Sequence, residues 1–206
     1  MPGWHIRYRH LNWGLGSDAA AAYSIGSYTR FESDALSALT TCHLMLLRDA
    51  LPADFPRILQ LNHELVHFLS PMDAGRLVHL AAQAIYHRVV EIDGRVVAFL
   101  LAFREGSGYD SPNYLWFERN YAAFVYIDRV VVAPDMQGRR IGNLLYDDVF
   151  AFAKATHVEC VTCEFYVDPP NEVSRRFHAR YGFEEVGSQS LPGGKCVSMQ
   201  MKHVLE

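Results

Sequence analysis

No stretch of this 206-residue chain approaches the roughly 18 consecutive apolar residues that a membrane-spanning helix needs. The N-terminus also lacks a basic segment followed by an apolar run, so no secretory signal is expected. Cysteine is scarce. Four in a chain of this size do not make a disulfide scaffold, and a reducing, cytoplasmic setting is the expectation. There is no excess of positive charge: 19 Lys and Arg stand against 23 Asp and Glu, a formal net charge of −4. That balance argues against a general nucleic-acid binder, whose electrostatic footprint is basic. No internal repeat is visible. What is there suits one globular domain with a sizeable core, because half the residues are hydrophobic and a fifth are charged.

The chain divides unevenly. Residues 1–44 show no sustained amphipathic spacing: Trp4, His5, Arg7, Arg9, His10 and Trp13 cluster without a period, and Ala19–Ala22 sits in a Ser- and Gly-bearing stretch. They are expected to be an extension, or an over-long start, to a domain of residues 45–206. From Met45 the elements read strand, two helices, three strands, helix, strand, helix and two strands. Asp93-Gly94 between two apolar runs is a strong hairpin signal. Residues 105–121, rich in Gly, Asp, Asn and aromatics, read as a loop that lines an acceptor pocket or folds back on itself. In the last strand Val197, Met199 and Met201 alternate with polar residues, which predicts one buried face.

The central segment carries the chemistry. The apolar strand Tyr126–Val132 is interrupted by Asp128 and Arg129 and runs into Gln137-Gly138-Arg139-Arg140-Ile141-Gly142, which opens a helix. A helix start offers unpaired N–H groups and a positive dipole end, glycine lets a phosphate approach the backbone, and two arginines add charge. These features predict a pyrophosphate cradle, although spacing alone reads equally well as an ordinary strand–turn–helix corner. The Rossmann and Walker spacings are absent.

With Val132-x-Pro134 in front, this stretch resembles the acetyl-CoA-binding motif of the GNAT N-acetyltransferase superfamily, Gln/Arg-x-x-Gly-x-Gly/Ala, with Arg140 where Gly is usual. Downstream, Asn171, Ser174, Phe177, Tyr181, Gly182 and Phe183 resemble the family's second motif. The resemblance covers about residues 45–206. Tyr109-Asp110-Ser111-Pro112-Asn113-Tyr114 with Trp116-Phe117 also resembles a subgroup of GNAT acetyltransferases.

The resemblance implies an α/β (α+β) fold: a mixed, mostly antiparallel central sheet flanked by helices, with acetyl-CoA in a splay between two central parallel strands. It implies acetyl-CoA as co-substrate, no metal, and direct transfer to an amine acceptor, a small molecule or a peptide. It also implies roles. Backbone groups of Val130 and Val132 pair with the pantetheine arm, and the N–H groups of Gln137, Gly138, Arg139, Arg140, Ile141, Gly142 and Asn143 hold the pyrophosphate. Asn171 and Ser174 sit near the thiol end, and a backbone N–H near Val130 holds the oxyanion. Asp128 falls where some members place a carboxylate base, with Glu164 on the next strand as a second candidate. His178 stands where many members have a tyrosine that protonates the departing thiolate. Strand alternation sets Arg129 on the face opposite Asp128. Neither a membrane nor a nucleic-acid partner is expected, and strand pairing allows a homodimer.

Two readings compete. One is a CoA-binding regulatory protein without turnover, motivated by Arg140 and by His178 in place of tyrosine. The other is a zinc peptidase, from the literal H-E-x-x-H at His63-Glu64-Leu65-Val66-His67, whose two histidines lie one helical turn apart. The metzincin continuation is missing, since Ser70 and Asp73 stand where Gly and His are needed. Cys160-Val161-Thr162-Cys163 lies within a strand, so its two sulfurs face opposite sides and read as buried free thiols.

Overall fold

The computed structural model describes residues 5–8, 44–65 and 69–204, and of residues 5–8 the backbone alone. The chain order is β1 (His5–Tyr8), β2 (Leu44–Asp49), α1 (Phe55–Glu64), α2 (Ala74–Gln83), β3 (Tyr86–Ile92), β4 (Arg95–Arg104) and α3 (Pro112–Asn120). β5 (Val125–Val132), α4 (Ile141–Ala155), β6 (Cys160–Asp168), α5 (Glu172–Arg180), β7 (Glu184–Ser190) and β8 (Cys196–His203) complete it. The strands form one sheet in the order β1-β2-β3-β4-β5-β6-β8-β7. β1–β2 and β5–β6 are parallel pairs, and every other neighbouring pair is antiparallel. No helix among the described residues is long and apolar enough to cross a membrane.

Apolar patterning decides which face each helix covers. On one face Ile58 and Leu61 of α1 and Leu145, Tyr146 and Val149 of α4 pack on the sheet, joined by Phe177 and Tyr181. On the other, Tyr114 and Phe117 of α3 pack with Tyr109, Phe124 and Tyr126. β4 lies mid-sheet between these layers, and Val96 through Phe103 are all buried. A strand covered on both faces reads as an unbroken apolar run, as this one does. The β3–β4 hairpin turns on Asp93 (φ 51°) and Gly94 (φ 81°), the paired positive φ values that a two-residue turn of this kind needs.

Two expectations change. Residues 112–120 are helical, not loop. Extended Ser111 places Pro112 at the first helical position, where its missing N–H costs nothing. Asn113, Tyr114 and Phe117 then fall on one buried face. β8 is buried on both faces over Val197–Gln200, where the polar face is closed by its own hydrogen bonds: the Ser198 hydroxyl donates to Glu185, and Gln200 Nε2 donates to Ser198 Oγ at 2.7 Å.

Candidate active site

β5 and β6 pair through only Val125↔Val161 and Tyr126↔Thr162. Beyond these two positions the strands diverge with no ladder between them among the described residues, which leaves main-chain donors and acceptors lining a wedge. At the mouth of the wedge the chain turns through Pro134–Met136 and enters α4. The N–H groups of Gly138 through Asn143 meet no acceptor among the described residues; the first backbone bond in this stretch is Leu144 N–H to the Arg140 carbonyl. Gly138 (φ 75°) and Arg140 (φ 62°) both take left-handed backbone, and Arg140 caps α4 without a side-chain hydrogen bond. A Cβ on Gly142 would meet only the Phe177 ring, at an ordinary 3.6 Å. Of the residues expected to hold a pyrophosphate, Gly138 through Asn143 stand together with unpaired N–H groups, while Gln137 is occupied by the Pro134 and Val132 carbonyls and the Ile141 side chain is buried; the six free N–H groups fit an anionic group.

The remaining expected contacts are more occupied. Val130 and Val132 pair with Leu100 and Ala98 of β4, and the Val132 carbonyl accepts from Gln137 Nε2 at 3.3 Å. Asn171 caps α5, its side chain accepting from Ser174 N–H at 3.1 Å.

The two carboxylates stand on the diverging strands, Asp128 and Glu164 each two residues past the last β5–β6 pair. Asp128 sits at a β-bulge: Leu101 opposes Arg129 and Ala102 opposes Ile127, leaving residue 128 over. A bulge breaks the strict alternation of faces. Arg129 Nε consequently donates to Asp128 Oδ2 at 2.5 Å, which corrects the expectation that strand geometry keeps these two apart. Arg129 also donates to Asn62 Oδ1 at 2.7 Å, and the Tyr109 hydroxyl donates to Asp128 Oδ1 at 2.6 Å. Burial and the Asp128 charge hold the Tyr109 phenol well above its usual pKa, so it keeps its proton.

Glu164 has a different setting. Asn113 Nδ2 donates to its Oε1 at 2.7 Å, and the Asn113 carbonyl oxygen accepts from Gln189 Nε2 at 2.9 Å. Glu164 Oε2 and the Tyr126 hydroxyl are both sealed from water and face each other; neither makes a hydrogen bond of good geometry to any described residue, yet the hydroxyl is near enough to favour the carboxylate. Burial, with the Asp128 charge adding to it, pushes the Glu164 carboxyl up to about 8, against the opposing pull of the Tyr126 hydroxyl, the Asn113 amide and Arg129.

His178 is 4 % exposed. Its Nδ1 lies 2.8 Å from the Ser174 carbonyl and 3.2 Å from Ser174 Oγ, and its Nε2 lies 2.7 Å from the Tyr146 hydroxyl. A carbonyl only accepts, which assigns the ring proton to Nδ1 and makes Nε2 an acceptor from Tyr146. Burial drives the imidazole down to about 4. A neutral ring with its single proton bound to a main-chain carbonyl is not a ready proton donor, so this geometry departs from the role expected of His178.

The sequence reading gave no role to Asn113, Gln189 or Asn62. The signal for Asn113 was present, a polar residue beside Tyr114 and three positions before Trp116, but it required recognising the helix. On the rim, a cavity of about 450 Å³ is lined by Asn62, His63, Pro71, Met72, Asp73 and Arg76. His63 and Glu64 are exposed on α1, with Glu64 paired to Arg57, while His67 lies outside the described residues. Cys160 and Cys163 are buried free thiols in opposite core layers.

The sheet thus splits at a parallel strand pair, and a donor-rich helix start stands at the mouth of the split. The profile of the Acetyltransferase (GNAT) family matches residues 47–183, and the chain belongs to that family. A phosphinothricin N-acetyltransferase of Streptomyces coelicolor is 41% identical over 66 residues, 32% of this chain and 37% of that protein. The chain thus matches little more than a third of that relative's length. Among solved structures, Ard1 from Thermoplasma volcanium superposes with a TM-score of 0.64 at 16% identity, covering 79% of this chain and 99% of that one. YncA from Salmonella typhimurium, solved with acetyl-CoA, superposes with a TM-score of 0.60 at 18% identity, covering 79% and 95%. The fold is that of these acetyltransferases.

Proposed function

We propose that the protein transfers an acetyl group from acetyl-CoA directly to an amine, either a small molecule or a peptide. The observation that carries this reading is the β5–β6 wedge ending at six unpaired N–H groups, with Asp128 and Glu164 on its two walls. Gly138 through Asn143 would hold the pyrophosphate, and the free edges of Val130 and Val132 would flank the pantetheine arm. Acetyl-CoA supplies an activated thioester carbonyl. Asp128, gripped by Arg129 and Tyr109, fixes one wall of the acceptor site. Asn171 and Ser174 shape the start of α5 on the other side, and His178 locks α5 to α4 through Tyr146. No metal enters this scheme. If two copies associate through strands, the open edge of β7 is an available surface.

The test has two parts. Calorimetry with acetyl-CoA should show binding to the wild type and none to Gly142→Glu, which has room to fold but sets a carboxylate among the phosphate-binding groups. Thiol release from acetyl-CoA with a panel of small amines and peptides should then identify acceptors. Binding without turnover of any amine would leave a CoA-binding protein only.

A further inference from the structure

The structure assigns Arg129 as a positioning residue: it fastens the connection between α1 and α2, which walls the acceptor's side of the site, to the strand that carries Asp128. This rests on the acetyltransferase reading above and names the group that holds the acceptor's wall in place.

Arg129 is buried, and a buried guanidinium is kept where its donors are used. They are used in two directions. Nε donates to Asp128 Oδ2 at 2.5 Å, which ties it to the wall of the wedge. Nη1 donates to Asn62 Oδ1 of α1 at 2.7 Å, and it lies 3.4 Å from the Ser70 carbonyl and 3.7 Å from Met72 Sδ. Asn62 Nδ2 meets the same Ser70 carbonyl at 3.4 Å. Apart from these contacts, residues 69–72 make no hydrogen bond to any described residue. Leu69 and Met72 also pack on the core, but apolar packing has no direction, whereas a planar fork of donors sets one position. Asn62 and Met72 line the cavity of about 450 Å³. One side chain therefore joins a carboxylate of the wedge to the lining of the cavity beside it.

The far rim completes a ring of contacts around that cavity. The Tyr109 hydroxyl donates to the other Asp128 oxygen at 2.6 Å. Arg76 of α2 stands over the Tyr109 ring, 5.5 Å from its centroid, and pairs with Asp110. The links of the ring differ in strength. Asp110 is exposed, so water and salt weaken its pair with Arg76. The Arg129–Asp128 pair is enclosed, where hydrogen bonds are electrostatically stronger. Arg129 is thus the fixed point of the ring. The donor-rich turn at Gly138 through Asn143 shares none of these contacts, so the acceptor's wall and the acetyl-CoA cradle are held separately.

Steady-state kinetics with an amine returned by the panel, beside calorimetry with acetyl-CoA, tests the assignment. Arg129→Lys keeps a cation next to Asp128, but a compact ammonium cannot span Asp128, Asn62 and Ser70 together. It should raise KM for the amine about tenfold, while kcat falls less than about threefold and acetyl-CoA affinity stays within about twofold. Asn62→Ala cuts only the outer anchor and should raise the same KM about threefold. Val90→Ala, which hollows the core on β3, should leave that KM unchanged. Carbon-13 NMR of methyl-labelled methionine, with the Met72 signal assigned by its loss in Met72→Leu, reads the wall without any acceptor. That signal should move and sharpen in Asn62→Ala, where Arg129 is still present. An amine KM that stays put in both Arg129→Lys and Asn62→Ala would overturn the assignment. So would a loss of acetyl-CoA affinity as large as the rise in KM, because that marks a merely structural role. If Arg129→Lys does not fold, Asn62→Ala and the Met72 signal decide. If the wild type binds acetyl-CoA but acetylates no amine, the transferase reading falls and takes this one with it; normal binding and turnover with an unmoved amine KM sinks this one alone.

Discussion

Arg140 caps α4 in left-handed backbone, with no hydrogen bond from its side chain. A non-glycine residue there carries a penalty of roughly 1–2 kcal/mol. Arg140→Gly should therefore raise stability by about 1 kcal/mol in chemical denaturation, while weakening acetyl-CoA binding a few-fold at low salt because an exposed cation is lost from the cradle. His178 gives a pH signature. Its folded pKa of about 4 lies below the roughly 6.5 of an unfolded histidine, so protons bind the unfolded chain better. Its contribution is fully present above pH 6.5 and drains away as pH falls toward 4, at about 1.4 kcal/mol per unit. His87, also lowered to about 4 by burial, behaves alike. Glu164, held up to about 8 when folded, has the opposite sign and gains stability as pH falls, so the comparison between variants is the test: from pH 7 to pH 5 the urea midpoint of His178→Phe should fall less, or rise more, than that of the wild type, and an unchanged slope would mean that the ring is not held neutral. At this scale the sequence was partly legible. Asp128, Glu164 and the cradle residues announce themselves by type and place. The Arg129–Asp128 pair did not, because a bulge is set by how β4 and β5 register and not by either residue.

Helix α3 is the element that the sequence hid. Its turn-forming composition suggested a loop, whereas burial of Asn113, Tyr114 and Phe117 against the sheet outweighs that local preference. The helix is fastened to the far edge of the sheet by Trp116, whose indole lies over Gly187 of β7. A Cβ at that glycine would stand 2.6 Å from Trp116 Cζ2. The ring is rigid, so Gly187→Ala should cost about 1–3 kcal/mol in thermal unfolding, as overpacking does. Because α3 carries Asn113, the same change should also disturb turnover at temperatures where the protein remains folded. Equal stability in Gly187→Ala would show that Trp116 can move aside.

For the molecule as a whole, the order of strands and helices from Met45 was readable because each element carries its own period and its own stop signals, and only α3 escaped. The place of β8 between β6 and β7 was not readable, since strand order depends on contacts across the sheet. We propose that residues 1–44 are an extension to the catalytic domain, adding β1 beside β2 at one edge. Deleting residues 1–43 should lower the unfolding temperature by only a few degrees, in line with a loss of about 1 kcal/mol, and leave acetyl-CoA affinity unchanged; loss of binding would place the segment in the site. The short pairing of β5 with β6 has a mechanical meaning as well. Five strands stand on one side of that seam and three on the other, and between the two slabs the main chain is stitched at only two positions. A substrate laid along the gap becomes the missing stitch. At a hundredfold excess over its Kd, acetyl-CoA should add about 2.7 kcal/mol to unfolding. The accompanying slowing of amide exchange should concentrate along the facing edges of residues 127–132 and 163–168, so that the protein is most cohesive when it is loaded to react.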